Sequence, residues 1–419
     1  MNYPDSVRFL YSLGNEIKTA KLGLDRIRVL LQALGDPQSA CRIVHVAGTN
    51  GKGSTCAMIE AGLRASGIRT GLFTSPHLVE PTERIQIAGT QVTAADFATA
   101  FDRVHQTAED LLHGALIDAH PTYFETVTAM ALLLFRDRNV ETAVLEVGLG
   151  GRLDATNVVH PALCVITPID FDHEAMLGAT LEAISGEKAG ILKPGVPAVF
   201  SKQRPEAERV LTARAAELGI SVTRTINWRV ADLEIDARAS RFSAEGPRTF
   251  KIHCPLAGYH QVENALTAAV ALSHLGIAPD GIATANWPGR LERVRKAPEI
   301  ILDGAHNPAG ARALAAYIEQ FYSGRPIWLV YGAMRDKAIE EISGILFPLA
   351  SELIFTAPAY QRALRPEALV DMSHHPRARL APTVRAALDL INNEAAPSDV
   401  IFLTGSLFLV GEARALLVQ

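Results

Sequence analysis

Short apolar runs alternate with stretches of helical periodicity over most of the chain, a pattern typical of parallel α/β architecture. The apolar runs have the length and the Val, Ile and Leu content of buried strands. They occupy residues 41–47, 68–73, 142–147, 162–167, 197–200, 299–302, 327–331, 353–356 and 400–403. Apolar residues at helical spacing lie between them. The predicted helices cover residues 54–66, 124–137, 180–188 and 262–275, and others begin near Ala309, Ala338, Pro366 and Pro382.

Two segments interrupt this alternation. Residues 225–254 alternate polar and apolar positions at 228–235 and 248–253, which predicts a small antiparallel excursion. The segment Asn286-Trp287-Pro288-Gly289 is a break, because proline and glycine together interrupt either kind of element. The strand and helix pattern restarts after it. We therefore predict two α/β domains, residues 1–288 and residues 289–419.

Composition and charge narrow the class of protein. The 419 residues are 48% hydrophobic and 20% charged, as in ordinary globular proteins. The formal net charge of -5 argues against a general nucleic-acid binder, so any positive field for an anionic ligand must be local. The cysteines form no CxxC pair and fit a reducing cytosol. The chain shows no signal peptide and no apolar run long enough to span a membrane. We expect a cytoplasmic protein.

The strongest chemical signal is a Gly-rich turn between the first predicted strand and the helix after it. The turn reads Gly48-Thr49-Asn50-Gly51-Lys52-Gly53-Ser54. Backbone N–H groups in such a turn surround phosphate oxygens, and the helix N-terminus adds positive partial charge. Lys52 can reach the β and γ phosphates, and Ser54 can offer its hydroxyl to magnesium. The usual GxxxxGK[ST] spelling is altered, because Val46 replaces the first glycine and Gly53 separates Lys52 from Ser54. The alternative is a Gly-rich turn with a chance lysine.

Charged side chains also follow other predicted strands. Glu146 ends one strand, at the sheet edge where α/β proteins bind ligands, and a carboxylate there can hold magnesium or cap a backbone turn. Asp303 and His306 follow a strand of the second domain, and the aspartate can bind ribose hydroxyls or cap a helix. Arg290, at the break, can clamp a phosphate with its planar guanidinium or lie at the surface.

A series of motifs resembles the folylpolyglutamate synthase and dihydrofolate synthase branch of the Mur ligase superfamily. The motifs are His45-Val-Ala-Gly-Thr-Asn-Gly-Lys-Gly-Ser54, Thr74-Ser-Pro-His-Leu78, Glu146-Val-Gly-Leu-Gly-Gly-Arg-Leu-Asp-Ala-Thr-Asn157, Glu187-Lys-Ala-Gly-Ile191, Asp303-Gly-Ala-His-Asn-Pro308 and Thr404-Gly-Ser406. The motifs are spread from residue 45 to residue 406, so the resemblance extends over nearly the whole chain. The resemblance implies a P-loop, Mur-ligase-like central domain with a parallel sheet, followed by a smaller Rossmann-like C-terminal α/β domain.

The resemblance also implies the cofactors. ATP would bind with two magnesium ions, and Lys188 would be carboxylated on its side-chain nitrogen by carbon dioxide, which turns a cation into an oxygen donor. The implied catalytic residues are Lys52, His173 and Lys188. The implied metal ligands are Ser54, Ser75, Glu146, His173 and Lys188. The implied nucleotide contacts are Thr49, Asn50, Gly51, Lys52, Gly53, Ser54, Asn264, Arg290, Asp303 and His306.

Ten further residues match segments that contact the pterin-bearing substrate in the family. They are Ala20, Lys21, Leu22, Thr122, Tyr123, Phe124, Glu125, Leu153, Asp154 and Ala155. Lys21 departs from the pattern, because this position is acidic in some bifunctional members. Tyr123 and Phe124 have an alternative as core residues at a helix start.

The implied reaction is ATP-dependent ligation of L-glutamate to a pterin carboxylate through an acyl phosphate. The Arg152-Leu-Asp154-Ala segment favours dihydropteroate, so we predict a bifunctional enzyme that also extends reduced folates. Folylpolyglutamate synthesis alone, or a P-loop ATPase switch or binding module without ligase activity, are the alternatives. A peptidoglycan-type Mur ligase usually has a further N-terminal domain, whereas only 47 residues precede Gly48. We expect a monomer that acts on small molecules and binds neither nucleic acid nor a membrane.

Overall fold

An eight-stranded sheet forms the centre of the first part of the chain. The computed structural model describes residues 1–14, 23–335 and 337–418. The strands of this sheet are β1 (Arg42–Ala47), β2 (Thr70–Phe73), β3 (Ile85–Ile87), β4 (Thr90–Gln91), β5 (Thr142–Glu146), β6 (Leu163–Ile166), β7 (Ala198–Phe200) and β8 (Val222–Arg224). Their order is β4-β3-β2-β5-β1-β6-β7-β8, and all pairs are parallel except β2 with β3 and β3 with β4. The predicted parallel sheet is confirmed.

Helices cover both faces of this sheet. They are α1 (Tyr3–Ser12), α2 (Asp25–Ala33), α3 (Lys52–Ala65), α4 (Ala94–His113), α5 (Tyr123–Asp137), α6 (Glu174–Leu177), α7 (Leu181–Ala189) and α8 (Pro205–Glu217). On β1, Ile43 packs into the core formed with α1, α2, α4 and α5, whereas Val44 and Val46 pack into the core that contains α3. Because both faces are covered, β1 is a continuous apolar run, which explains why the strand is evident in the sequence.

A small antiparallel sheet follows at residues 229–254, as predicted. It consists of β9 (Arg229–Ile235), β10 (Ser240–Glu245) and β11 (Thr249–Cys254) in the order β11-β10-β9. Helix α9 (Tyr259–His274) comes next. Phe242 and Ile252 of the sheet and Val262 of α9 share one core with α3. The excursion therefore covers the helix that follows the Gly-rich turn.

The chain after the predicted break forms a six-stranded sheet. Its strands are β12 (Glu292–Lys296), β13 (Glu299–Leu302), β14 (Ile327–Tyr331), β15 (Glu352–Phe355), β16 (Ala378–Leu380) and β17 (Val400–Thr404), in the order β12-β13-β17-β14-β15-β16. Only the β12–β13 pair is antiparallel among these described strands. The surrounding helices are α10 (Pro308–Tyr322), α11 (Ile339–Leu346), α12 (Pro366–Met372), α13 (Val384–Glu394) and α14 (Leu407–Leu417). This α/β arrangement agrees with the fold class expected from the sequence.

The strand order places several turns side by side. Strand β1 lies between β5 and β6, so the turns after these strands open at one edge of the sheet. This is the position where open α/β sheets bind ligands. Helix α3 begins at Lys52, two residues before its predicted start, because Gly51 ends the turn with a positive φ of 82°. None of the described helices is both long and apolar enough to cross a membrane.

Candidate active site

A cavity of about 610 Å³ lies at the carboxyl ends of both parallel sheets, within the size range of small-molecule sites. It is lined by residues from both sides of the predicted break. The predicted site residues on its wall are Thr49, Asn50, Gly51, Lys52, Gly53, Ser54, Ser75, Thr122, Phe124, Glu125, Glu146, Leu153, Asp154, Ala155, His173, Lys188, Asn264, Arg290, Asp303 and His306. Residues scattered over more than 250 positions of the sequence therefore meet in one place.

The predicted site residues that do not line this wall fall into two groups. Ala20, Lys21 and Leu22 lie outside the described residues. Tyr123 is described but is not on the cavity wall. Its side chain is buried, its ring stacks on Tyr11 with the centroids 5.8 Å apart, and the Arg84 guanidinium lies 5.2 Å from its ring centroid. The first position of α5 thus points Tyr123 into the core, which favours the core interpretation for this residue.

The Gly-rich turn is held in place by the strand beside it. The backbone N–H groups of Thr49 and Asn50 donate to the carbonyl of Pro168, at 2.9 and 3.2 Å. The Lys52 ammonium donates to the Thr49 carbonyl at 3.2 Å, so the lysine lies over its own turn. A Cβ on Gly48 would lie 1.9 Å from the Thr167 hydroxyl oxygen, which explains why this position has no side chain.

The glycine that separates Lys52 from Ser54 has a structural reason. A Cβ on Gly53 would lie 2.7 Å from the indole of Trp287, a residue of the predicted break. The break segment therefore packs directly on the start of α3. The unusual spelling of the motif follows from this close approach, because any larger residue at position 53 would displace the indole.

Helix α9 supplies amide side chains to the same turn. Gln261 donates to the Ser54 hydroxyl oxygen at 3.2 Å, and Asn264 donates to Gln261 at 3.0 Å. The Asn264 side-chain oxygen occupies the space where a Cβ of Gly51 would lie, 2.2 Å away. Both amides are buried, so this chain of hydrogen bonds fixes Ser54 and the turn relative to α9.

Glu146 is a buried carboxylate beside the turn. It is the last residue of β5, in register with Val46 of β1, and it accepts a hydrogen bond from the Ser75 backbone N–H at 3.1 Å. Burial raises the pKa of Glu146, and Lys52 is the largest opposing influence. A carboxylate that is desolvated beside a lysine and a phosphate-binding turn is suited to binding a hard cation.

Lys188 is a buried residue near the end of α7 whose amine reaches the turn. Its nitrogen donates to the Gly48 carbonyl at 2.8 Å. Burial, followed by the charge of Lys52, lowers the pKa of Lys188 to about 7. A substantial fraction of this amine is therefore neutral at neutral pH, and a neutral amine is nucleophilic.

Asp172 is the centre of an ionic cluster that joins the two parts of the chain. It accepts from Lys337 at 2.6 Å and from the Asn307 amide at 3.2 Å, and His306 Nε2 lies 3.4 Å away. Burial favours a higher pKa for Asp172, but His306 and Lys337 outweigh it and hold the pKa far below its ordinary value. This carboxylate is therefore ionised at neutral pH.

His173 follows Asp172 at the start of α6 with a positive φ of 52°. Burial lowers the pKa of His173 to about 4, against the opposing charge of Asp172. The imidazole is consequently neutral at neutral pH, with one ring nitrogen free of a proton. That is the form in which histidine ligates a metal.

Asp303 holds the segment that carries Arg290. One carboxylate oxygen accepts from the Leu291 backbone N–H at 3.0 Å, and the other accepts from Ala305 N–H at 3.0 Å. Burial raises the pKa of Asp303, and the charge of Arg290 is the largest opposing influence. The helix that follows is capped instead by Asn307, which accepts from the Gly310 N–H at 2.9 Å. Asp303 is therefore a brace for the segment around Arg290 as well as part of the cavity wall.

The opposite wall of the cavity is formed at the start of α5 and in the turn after β5. Thr122 and Glu125 form a capping box, and Glu125 also accepts from Arg26 at 2.7 Å. The Asp154 carboxylate accepts from the backbone N–H groups of Leu149 at 2.8 Å and Thr156 at 3.0 Å. Both carboxylates thus organise the wall that they line, and Phe124 contributes an aromatic face.

Asp172, Asn307 and Lys337, which pair with one another beside the cavity, were not among the predicted site residues. Asn307 lies within a motif quoted above, Asp172 directly precedes the predicted site residue His173, and Lys337 lies between β14 and α11. Their position in turns that follow strands was therefore a usable signal. The sequence gives no signal for the pairing of these residues with one another, because that pairing depends on how two separate sheets meet.

The donor set fits magnesium and a nucleotide. Ser54, Ser75 and Glu146 provide oxygen atoms, and neutral His173 provides nitrogen, all on the wall of one cavity. Magnesium prefers oxygen ligands and is usually held by few protein groups together with phosphates. The glycines at positions 48, 51 and 53 lie where a Cβ would clash with Thr167, Asn264 and Trp287, so the close packing around this cavity-lining turn requires glycine at these positions.

Comparison with known protein families shows two matching domains. The Mur ligase middle domain matches residues 46–272. The Mur ligase glutamate ligase domain matches residues 289–407.

Individual relatives match over nearly the whole chain. A Lacticaseibacillus casei protein named folylpolyglutamate synthase is 35% identical, over 100% of this chain and 99% of its own length. A Mycobacterium tuberculosis protein named dihydrofolate synthase/folylpolyglutamate synthase is 35% identical, over 94% of this chain and 89% of its own length. An Escherichia coli structure in complex with DHPP and ADP superposes with a TM-score of 0.89 at 30% identity, covering 99% of this chain and 97% of that one.

Some relatives are longer. The chain spans about half the length, 50%, of a Haloferax volcanii protein named probable bifunctional folylpolyglutamate synthase/dihydropteroate synthase, to which it is 36% identical.

Proposed function

Since this chain belongs to the folylpolyglutamate synthase/dihydrofolate synthase family of the Mur ligase superfamily, we propose that it is an ATP-dependent ligase that joins L-glutamate to pterin carboxylates. The substrates are dihydropteroate, which gives dihydrofolate, and reduced folates, which gain a further glutamate. ADP and phosphate are the other products.

One observation carries this proposal: a single cavity brings together groups for three different ligands. Lys52 and Arg290 provide cationic groups for phosphates, Glu146 and neutral His173 provide metal ligands, and Phe124 provides an aromatic face for a flat ring. A nucleotide-hydrolysing switch would need only the cations for phosphates and the metal ligands, and not the aromatic face. Because the chain as a whole has a net charge of -5, the attraction for phosphates comes from these cations on the cavity wall.

The first chemical step is phosphoryl transfer. An oxygen of the pterin carboxylate attacks the γ-phosphorus of ATP, and the bond to the bridging oxygen breaks with its electron pair leaving on ADP. Such transfer depends on positioning and charge neutralisation. Lys52, which now lies on the Thr49 carbonyl, would swing to the phosphates. Arg290 would approach them from the other side of the cavity. Magnesium, when bound by Ser54, Ser75, Glu146 and His173, would neutralise phosphate charge.

The second step makes the amide. The glutamate amine attacks the carbonyl carbon of the acyl phosphate, phosphate leaves, and the amine loses a proton. The acyl phosphate must be shielded from water until then. The cavity wall comes from both parts of the chain, and Trp287 packs on Gly53 at their junction. Movement at residues 286–290 would therefore open and close the site.

We further propose that Lys188 carries a carboxylate on its side-chain nitrogen. The amine is buried, and its pKa is lowered to about 7, so its neutral form can attack carbon dioxide. The resulting carbamate would be an oxygen donor for a second magnesium ion. Its burial beside the Gly48 carbonyl would protect it from hydrolysis.

The carbamate predicts a specific rescue. Lys188→Ala should lose most of its activity, and short carboxylic acids such as formate or acetate should restore part of it by supplying the missing oxygen atoms. The test is ADP release against acid concentration. Lys52→Ala is the control, because a carboxylic acid cannot replace an ammonium group. Equal stimulation of both variants, or full activity of Lys188→Ala, would exclude the carbamate.

Substrate choice is tested by assaying dihydropteroate and tetrahydrofolate in parallel, each with ATP and glutamate. Product formation from both acids would support the bifunctional enzyme, as in relatives with the double name. Product from tetrahydrofolate alone would favour a folylpolyglutamate synthase, as in the Lacticaseibacillus casei relative. ATP hydrolysis indifferent to both acids would favour the ATPase switch.

We expect the enzyme to act as a monomer, because the described residues of one chain line the cavity on both sides. Sedimentation of the active enzyme tests this expectation. Activity restored by mixing two inactive variants, one in each part of the chain, would contradict it.

A further inference from the structure

Two histidines and a glutamate form a cluster away from the active-site cavity. His105 and Glu109 lie one turn apart on α4, and His120 lies in the segment that leads to α5. The distance from His105 Nδ1 to His120 Nε2 is 3.2 Å, and Glu109 Oε1 lies 3.9 Å from each of these nitrogens. Among the described residues, these three form the group of His, Cys, Asp and Glu whose ligand atoms all lie within 4.8 Å of one another.

We propose that this cluster binds a divalent transition-metal ion of the zinc class. Two nitrogen ligands about 2.0–2.1 Å from one tetrahedral zinc ion are separated by about 3.3–3.4 Å. The two ring nitrogens are already 3.2 Å apart. The glutamate oxygen would need to approach by roughly half an ångström to complete the same tetrahedral face. Its side chain is 36% exposed and is free to make that small movement.

The tautomer of His120 is fixed in the form that a metal requires. His120 Nδ1 lies 2.9 Å from the Pro121 carbonyl, which can only accept, so Nδ1 carries the proton. In the neutral ring Nε2 then has a free electron pair, and it faces His105. A backbone carbonyl in this role is the usual outer partner of a metal-bound histidine. The gap between the two rings is thus suited to one proton or one metal ion.

Aromatic packing holds both imidazoles in this arrangement. The Phe9 ring lies 4.5 Å from the His105 ring and 5.3 Å from the His120 ring, and Phe101 stacks on His105 at 5.4 Å. The imidazoles are 18% and 14% exposed. Phe9 and Phe101 therefore hold the two imidazoles in place, and an ion would reach them past the partly exposed Glu109 side chain, with a water molecule as the fourth ligand.

The ligand types select the metal. Imidazole nitrogen suits zinc, cobalt and nickel, whereas magnesium prefers oxygen. The cluster would therefore not compete for the magnesium of the active site. A bound ion would tie the segment before α5 to α4, two residues from Thr122, whose capping box starts the helix on the cavity wall. We infer that the ion stabilises this wall.

Zinc titration of the full chain tests the proposal. ZnCl2 is titrated, with excess Mg2+ present, against a chromophoric chelator, and Co2+ absorption reports tetrahedral coordination. We expect one tight equivalent in the unmodified protein. His120→Gln should weaken it by more than about 100-fold, because even the outer partners of metal ligands contribute about 10- to 100-fold. His113→Gln, an exposed histidine at the end of the same helix, should leave binding unchanged.

Two further measurements keep the test decisive if His120→Gln folds poorly. Glu109→Gln removes a ligand at a partly exposed position and should weaken zinc binding. At the same zinc concentration, the rise in melting temperature should be larger in the unmodified protein and in His113→Gln than in Glu109→Gln, because the variant binds zinc more weakly. No tight equivalent in the unmodified protein, or the same affinity in Glu109→Gln and His113→Gln, would overturn the proposal.

Discussion

His45 is a buried histidine two residues before the end of β1. Its Nε2 lies 2.8 Å from the Thr156 hydroxyl, and that hydroxyl donates to Asp154. The hydroxyl therefore accepts from His45, which must carry its proton on Nε2. The histidine thus supports Asp154, and through it the turn on the cavity wall, without reaching the cavity itself.

This burial predicts a pH dependence of stability. Burial, aided by the charge of Lys193, lowers the pKa of His45 to about 3. The unfolded chain takes up a proton at this residue below pH 6.5, its ordinary pKa, but the folded chain does not until about pH 3. The free energy of unfolding therefore falls as the pH is lowered from 6.5 to about 3. The loss due to His45 is about 1.4 kcal/mol per pH unit.

The comparison is between the unmodified protein and His45→Gln, by urea unfolding at several pH values. His45→Gln should be less stable at pH 7.5, and the difference in unfolding free energy should narrow by about 2 kcal/mol at pH 5. His160→Gln, at an exposed position, should show no narrowing. If the difference in unfolding free energy between His45→Gln and the unmodified protein stays constant with pH, His45 has the same charge in the folded and unfolded states.

Lys52 provides the second residue-scale prediction. Lys52→Ala should lower ADP release by about 1,000-fold or more, because the site loses a cation that acts on the transferring phosphate. The fold should persist, since the hydrogen bond that this ammonium makes among the described residues is to the Thr49 carbonyl on its own turn. Circular dichroism checks the fold, and Lys251→Ala, at an exposed position, is the control. Retained turnover would remove Lys52 from the mechanism.

At the scale of elements, the Gly-rich turn depends on backbone freedom and on space. Gly51 and Gly67 have nearly the same φ, 82° and 83°. A Cβ on Gly51 would lie 2.2 Å from the Asn264 side-chain oxygen, whereas a Cβ on Gly67 would have no neighbour within 4 Å. Comparing alanine variants at the two positions therefore separates the free-energy cost of a positive φ from that of steric crowding.

Gly67→Ala should destabilise the fold by about 1 kcal/mol, because a positive φ is strained for a residue with a Cβ, and Gly51→Ala should destabilise it further, because its Cβ also crowds Asn264. Only Gly51→Ala should also weaken ATP binding, by about 10-fold or more, since Asn264 must leave its place beside the turn. Calorimetric titration of a non-hydrolysable ATP analogue measures this difference. Equal binding by both variants would show that Asn264 does not position the turn.

Helix α4 was not among the helices predicted from the sequence, although its residues carry a helical pattern. Its buried residues Phe97, Phe101, Val104, Ala108 and Leu111 recur at helical spacing, and Thr93 caps it by accepting from the Asp96 N–H. The signal is therefore local and strong. Buried parallel strands such as β1 and β5 are predicted correctly for the same reason: their apolar runs are short and continuous.

At the scale of the whole molecule, the cluster around Asp172 connects the two parts of the chain. The side chains of Lys337 and Asp172 are only 8% and 9% exposed. Asn307 extends the link by donating to Asn50 of the Gly-rich turn at 3.0 Å. No local pattern predicts such a pairing, because the residues lie 165 positions apart. This explains why the sequence identifies the motifs but not the contacts between them.

Lys337→Met should destabilise the contact between the two parts by about 3 kcal/mol, because it leaves a buried carboxylate with fewer cations. We expect kcat to fall by about 10-fold or more, since closure positions the reacting groups. The Lys337→Met/Asp172→Asn double variant should recover stability, because the unpaired charge is removed. Lys296→Met, at an exposed position of the second part, is the control. Unchanged kcat in Lys337→Met would show that the cluster is not needed for closure.

The most direct test of the central claim is amide formation by the purified protein. The protein is incubated with MgATP, L-glutamate and dihydropteroate, and ADP and dihydrofolate are quantified together by mass spectrometry. We predict that both products appear in equal amounts and that omission of dihydropteroate or glutamate abolishes dihydrofolate. ADP release at the same rate with and without each pterin acid, dihydropteroate or tetrahydrofolate, and no new amide from either, would contradict the assignment of this cavity as a glutamate ligase site.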